Sequence, residues 1–391
     1  MDKATMEKKY MTMVKMCGML CGIWPDQSKL SKYATRMFVY VFASTSFFTQ
    51  VAYLVRYYSA DLLIWQLLFL ILTVGTILKH TNYIINNKKY KELLDAIWDD
   101  WATNRTKDEF DIMEQYAVKA DIFCRIHIGF SFICTVLCFL EPSLMPIILD
   151  VILPKNESRD IVYVFPAYYV IDDRKYRTLI TVHMACMCFS SFYVFTGCDT
   201  SYMFIVQHAC GQLAVTGYRL KNAILDLSNV KDPSDMQDES HRRVLHSIRA
   251  HQHAINYVKT IDDSHSVYLF VGMIFIIIEF SVTLVKISSY MEISAQYLKD
   301  SFFFFCQIVH LGFISLQGQF IVNSNDEVVQ SIHDASWYNA NKRTQLLFVL
   351  VLRSCLNSPT VSAGGLFTMN LESFSKIMKT SFSYFTVLKS V

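Results

Sequence analysis

The sequence predicts an all-α membrane protein, a single domain of residues 1–391 with seven transmembrane helices, a cytoplasmic N-terminus and an extracellular C-terminus. Three observations predict it. Hydrophobic residues make up 53% of the chain and charged residues 18%, against roughly 45–50% and about 25% in average soluble proteins. Seven apolar stretches stand between charges, and most reach the ~20 residues a helix needs to cross a ~30 Å hydrocarbon core. Lys and Arg divide unevenly between alternate connections, 23 on the side of the N-terminus and 9 on the other, and the richer side is the cytoplasmic one.

The opening residues, MDKATMEKKYMTMVKMCGML, lack the apolar core and small-residue cleavage site of a signal peptide, so the first span is expected to serve as the insertion signal. That span is 37–55, between Arg36 and Arg56. The second, 62–78, lies between Asp61 and Lys79 and is near the lower length limit. The third, 126–149, is interrupted by Glu141, Pro142 and Pro146, and the fourth, 178–198, holds only His183. The fifth, 267–285, contains Glu279, and the sixth, 301–322, contains His310 but no fixed charge. Cytoplasmic helical extensions are expected at 79–121, 207–262 and 323–357. In the first of these, Tyr90, Leu93, Leu94, Ile97, Trp98 and Trp101 recur on one helical face. Lys231–Ser240, KDPSDMQDES, reads as a polar loop. The histidines after it, His241, His246, His251 and His253, have no zinc spacing and read as a solvated face.

The seventh span, 359–388, reads as a helix opened by Pro359. It carries Glu372, Lys376 and Lys379 among several serines, and a helix surrounded by lipid could not hold three charges there. Two readings fit. Glu372 and Lys376 pair at i, i+4 on a packed or cytoplasmic segment, or the helix lines an aqueous path.

Several functions are excluded by what is missing. No phosphate-binding loop, nucleophile elbow or dinucleotide fingerprint occurs, so no enzyme activity and no cofactor or metal are expected. A net charge of +2 without a basic cluster gives no footprint for nucleic acid. The eleven cysteines lie mostly in or beside apolar runs and read as buried thiols. Glu279 is isolated in an apolar run, where charge is costly; it is either a functional group or a carboxyl near the outer interface or facing a protein cavity. Of the sequons at Asn104 and Asn156, only Asn156 lies on the outer side and is the glycosylation candidate.

Ala363-Gly364-Gly365-Leu366-Phe367, Ser373-Phe374 and Lys379 through Leu388 resemble the final transmembrane helix of insect odorant receptors. Trp337-Tyr338, Arg343 and the Leu346–Leu350 run are similar to the segment before that helix. Asp199, His208, Gln212-Leu213 and Leu220 resemble the family's pattern at the cytoplasmic end of the fourth span. The sister gustatory receptors end in a Thr-Tyr…Gln-Phe pattern, where this chain has Ser383-Tyr384-Phe385-Thr386.

The resemblance implies a ligand-gated, non-selective cation channel in the plasma membrane of sensory neurons, opened by a small volatile odorant. It implies a tetramer with the final helices around the pore and cytoplasmic helices in contact. The chain lacks the large insertion between the fourth and fifth spans that marks the shared co-receptor, so it resembles an odour-tuning subunit that assembles with that co-receptor. The same resemblance puts the ligand in the outer half of the bundle. Candidates are Trp65, Gln66 and Phe69; Ser131, Thr135 and Cys138; His183, Met184 and Cys188; Phe280 and Thr283; and Phe303 and Gln307. Carried over from Tyr384, the gate positions are Val387 and Val391, with Tyr384, Glu372 and Lys376 in gating or assembly. The other readings of a seven-helix chain are a G-protein-coupled chemoreceptor, a gustatory-type channel and, without repeats to support it, a transporter.

Overall fold

The computed structural model describes residues 2–152, 163–224, 233–292, 295–357 and 359–390. Asn156 and Val391 lie outside them. The helices are α1 (Lys3–Tyr10), α2 (Thr12–Leu20), α3 (Lys29–Arg56), α4 (Ala60–Ile85), α5 (Asn87–Ala102), α6 (Lys107–Ile152), α7 (Arg177–Lys221), α8 (Pro233–Ser289), α9 (Ala295–Asp334), α10 (Lys342–Leu356) and α11 (Leu371–Ser390). A two-stranded hairpin, β1 (Ser362–Ala363) and β2 (Phe367–Thr368), precedes α11. Among the described residues six helices are long and apolar enough to cross a membrane: α3, α4, α6, α7, α8 and α9. The fold is that of an all-α membrane protein. α11 has 20 residues, with Glu372, Lys376, Lys379 and Lys389 among them, and is the shorter, more polar addition to the six.

α7 is the axis of the bundle. From Thr196 to Leu213 every residue is buried, because α6, α8, α9, α2, α3 and α4 all pack around it. Polar groups so enclosed must be paired, and their partners tie the surrounding helices to α7. Tyr83 of α4 donates to the Cys198 carbonyl at 2.7 Å, and Tyr90 of α5 donates to Ser201 Oγ at 2.9 Å. Lys79 Nζ donates to Asp199 Oδ1 at 2.6 Å, with both side chains no more than 5% exposed. His310 Nε2 of α9 and His127 Nε2 of α6 lie 3.2 and 3.5 Å from Asp199 Oδ2. One carboxylate thus gathers α4, α6, α7 and α9.

Beyond that level the helices run on into a second packed layer. The face of α5 expected from the sequence, Tyr90 to Trp101, is the face that is buried. Asp100 at its end meets His208 Nε2 at 3.0 Å, the Gln212 amide and Arg105. Met6 and Tyr10 of α1, Met11 at the junction and Val14 of α2, with Trp24 behind them, join the same core. Their apolar residues are too few per turn, and too short in run, to announce a helix on their own.

Two further readings are corrected. Residues 233–240 are the first turns of α8, opened by Pro233, whose fixed φ suits a helix start; the expected loop at Lys231–Ser240 is therefore helical over most of its length. His246 and His253 are exposed, but His241 and His251 are buried toward α10, with His241 Nδ1 3.0 Å from Thr344 Oγ1. α10 covers one face of α8, and the histidines on that face are dry.

The seventh span does not run as a helix from Pro359. Gly364 and Gly365 take φ of 64° and 70°, the left-handed region that breaks a helix and turns a hairpin. The hairpin is pinned to α8: Ser362 N donates to Asp262 Oδ1 at 2.7 Å and Gly364 N to the Ser266 carbonyl at 2.9 Å. Helix resumes at Leu371, behind Asn370, whose Oδ1 accepts from Ser373 N at 2.9 Å.

Asp199→Asn leaves the Lys79 ammonium buried without its counter-charge, which costs about 3–5 kcal/mol. Thermal unfolding of the purified protein should register that loss, and adding Lys79→Met should recover most of it; a double variant as unstable as the sum of both would contradict the pairing. Asp100 gives a pH test. Burial opposes its ionisation, yet His208, Gln212 and Arg105 hold its carboxyl down at about 2. Because the folded value lies below the ordinary ~3.9, its stabilisation is complete above that pH and fades as pH falls toward the folded value. The acid-unfolding curve of Asp100→Asn should be flatter across that interval than the native one.

Candidate ligand cavity

A cavity of about 520 Å³ lies between α4, α6, α7, α8 and α9. Its walls are apolar because the helix faces that meet there repeat large apolar residues at three- and four-residue spacing. Aromatic side chains dominate: Phe69, Phe130, Phe192, Phe195, Phe275, Phe302, Phe303 and Phe313. At one end stand Lys79, His127 and His310, the partners of Asp199. At the other stand Lys286, Lys299 and Asp300, with Lys286 Nζ 3.0 Å from Asp300 Oδ1 and 5.0 Å from the Trp65 ring centre. Tyr290 donates to Asp300 Oδ2 at 2.6 Å. Along α8 the cavity extends from Tyr268 to Lys286, about 27 Å of helix rise. Such a space suits a small apolar molecule oriented by a few polar groups.

Seven of the residues singled out from the sequence line this space: Phe69, Ser131, Thr135, Cys138, Cys188, Phe303 and Gln307. Thr283 is one contact removed, with its hydroxyl 3.4 Å from Gln307 Oε1, and Phe280 packs on the Phe304 ring at 5.4 Å in the core. Trp65 faces Lys286 at the mouth. Gln66, His183 and Met184 are occupied elsewhere, by residues 163–176, which fold inward against the bundle. Gln66 Nε2 donates to the Pro166 carbonyl at 3.0 Å, and His183 Nδ1 lies 2.9 Å from the Tyr169 hydroxyl. Met184 packs with Phe165 and Ala167. No periodicity marks this inward segment, so nothing local announces that it claims three positions near the cavity.

Other lining residues were missed. Cys134 and Cys306, with sulfurs 3.1 Å apart, join α6 to α9. Met369, from the turn between hairpin and α11, also lines the cavity. Its carbonyl lies where a Cβ on Gly318 would come, 1.6 Å away, so the approach of that turn to α9 depends on a glycine.

α11 packs on α8 and α9 through a narrow seam, Ser373, Ile377 and Ser381, flanked by Phe374 and Met378. Ser281 Oγ of α8 donates to the Ser381 carbonyl at 3.1 Å. The rest of its surface is uncovered, and Tyr384 and Val387 are 56% and 58% exposed. Lys376 Nζ and Glu372 Oε1 pair at 2.6 Å in the open, the i, i+4 contact read from the sequence.

A sequence profile described as 7tm Odorant receptor matches residues 59–382. Odorant receptor 13a of Drosophila melanogaster is 22% identical over 208 residues, which cover 49% of this chain and 48% of that protein; the match thus spans about half the length of that relative. Two structures of the insect olfactory receptor OR5 from Machilis hrabei share the fold over 99% of both chains. The one in complex with eugenol has a TM-score of 0.79 at 11% identity, and the other a TM-score of 0.76 at 12% identity. With the greater part of its length matched by the profile, the chain belongs to the 7tm odorant receptor family, a family of multi-pass membrane receptors.

Proposed function

We propose that this chain is an odour-tuning subunit of a ligand-gated, non-selective cation channel, opened by a small volatile molecule in the cavity. Four subunits, this chain and a shared co-receptor among them, surround a pore lined by their α11 helices. The N-terminus is cytoplasmic and the assembly sits in the plasma membrane of sensory neurons. The hairpin, α5 and α10 lie on the cytoplasmic side, and the cavity lies in the outer half of the bundle.

The observation that carries this reading is that α8 and α9 serve both sites. One face of each helix walls the cavity, and another face holds α11. A ligand that spreads or draws in these two helices acts directly on the pore helix. The uncovered side of α11 supports the pore itself. Glu372, Lys376, Lys379, Thr380 and Ser383 are exposed on a helix beside six membrane spans, and such a face is stable against water or another subunit and costly against lipid. Toward its end the same helix turns apolar at Val387 and Leu388. A ring of such side chains stops ions by excluding water.

Currents recorded with and without the co-receptor, against a broad odour panel, test the reading as a whole. At the gate, Val387→Ala and Val387→Ser should raise ligand-free current severalfold or alter cation selectivity, and Val387→Cys should make the current sensitive to thiol reagents. If all three leave current, selectivity and reagent block unchanged, Val387 is not at the gate. Tyr384→Ala should lower surface assembly or maximal current without reordering the odour panel; a reordered panel at native expression and current would contradict it.

A further inference from the structure

Glu279 lies on the cavity-facing stripe of α8, in the series Leu269, Gly272, Ile276, Glu279 and Lys286. It stands seven residues, about 10 Å of helix rise, from the Lys286 end. The other charged groups around the cavity have partners. Lys79 is held by Asp199 at 2.6 Å and Lys286 by Asp300 at 3.0 Å, and Lys299 and Asp300 make further contacts. Among the described residues no ion pair or hydrogen bond engages the Glu279 carboxyl. We infer that Glu279 is the recognition group for a small organic amine, whose ammonium would meet a lining carboxyl that no cation among the described residues engages.

This rests on the cavity being the odorant site. The chemistry then follows from what surrounds the carboxyl. A lone carboxylate among apolar walls is costly until an opposite charge with hydrogen-bond donors meets it. An ammonium supplies both. The aromatic rings that line the same cavity, Phe275 and Phe303 among them, offer electron-rich faces to the cation and apolar surface to its carbon skeleton. An alcohol of the same shape brings a donor but no charge, and a carboxylic acid brings the wrong charge. Discrimination of amine from alcohol therefore belongs to this one side chain, while shape selection belongs to the aromatic walls.

The test measures equilibrium binding to the purified full-length receptor of phenethylamine, hexylamine and cyclohexylamine, each beside the alcohol of the same skeleton. Native protein, Glu279→Gln and Glu279→Asp are compared. At least one amine should bind the native chain about ten- to a hundredfold more tightly than its alcohol. Glu279→Gln should abolish that preference with alcohol binding retained, and Glu279→Asp should keep part of it. The inference is overturned if no amine outbinds its alcohol, if the preference survives in Glu279→Gln, or if that variant weakens amine and alcohol alike. Currents from the same proteins with the co-receptor report separately on the channel. Amine preference in binding without current would sink the channel reading alone, and current without amine preference would sink this inference alone.

Discussion

The structure depends on the way α7 is made tolerable in the middle of the bundle. A helix enclosed on all sides over more than four turns can keep polar residues only if every neighbour answers one of them. Asp199 is the sharpest case. Its carboxylate is matched by Lys79 from α4 and approached by His310 from α9 and His127 from α6, so the charge specifies which helices pack together and at what height. The contribution of such a pair to net stability is small once desolvation is counted, whereas its contribution to register is large. The cavity sits directly on this layer, and the position of its floor is thus set by electrostatics while its walls are set by apolar packing.

The cavity and α11 meet at Met369. The hairpin before it is fixed to α8 by Asp262 and Ser266, and its carbonyl lies against Gly318 of α9. The short turn from the cavity to α11 is therefore held at both flanks by the helices that wall the cavity. No long or loosely packed linker intervenes between the two sites.

Much of this was legible in the sequence, and the reason differs by element. The spans announced themselves through charge-free length, and the buried face of α5 through the spacing of Tyr90, Leu93, Leu94, Ile97, Trp98 and Trp101. The polar, exposed side of α11 followed from Glu372, Lys376 and Lys379. What stayed hidden was set by tertiary contact. Gly364 and Gly365 look like tolerable helix residues until their positive φ is seen, and the inward course of residues 163–176 is fixed by hydrogen bonds to Gln66, His183 and Thr49 that no local pattern encodes. For the cavity, Ser131, Thr135, Phe303 and Gln307 were within reach through the resemblance, which implied a ligand in the outer half of the bundle. Cys134 and Cys306 stand one turn from Cys138 and Phe303, and were passed over because residue type alone does not separate a lining thiol from a packed one.

α8 is one helix from Pro233 to Ser289, 57 residues, about 85 Å from end to end. Stiff over that length, it behaves as a beam that crosses the membrane and continues well past it, with the cavity near one end. A tilt of only about 5° about its middle displaces each tip by roughly 4 Å. A displacement of about 1 Å at Tyr268, where the cavity begins some 10 Å from that middle, therefore corresponds to roughly 4 Å at the far end, where α8 lies against α10.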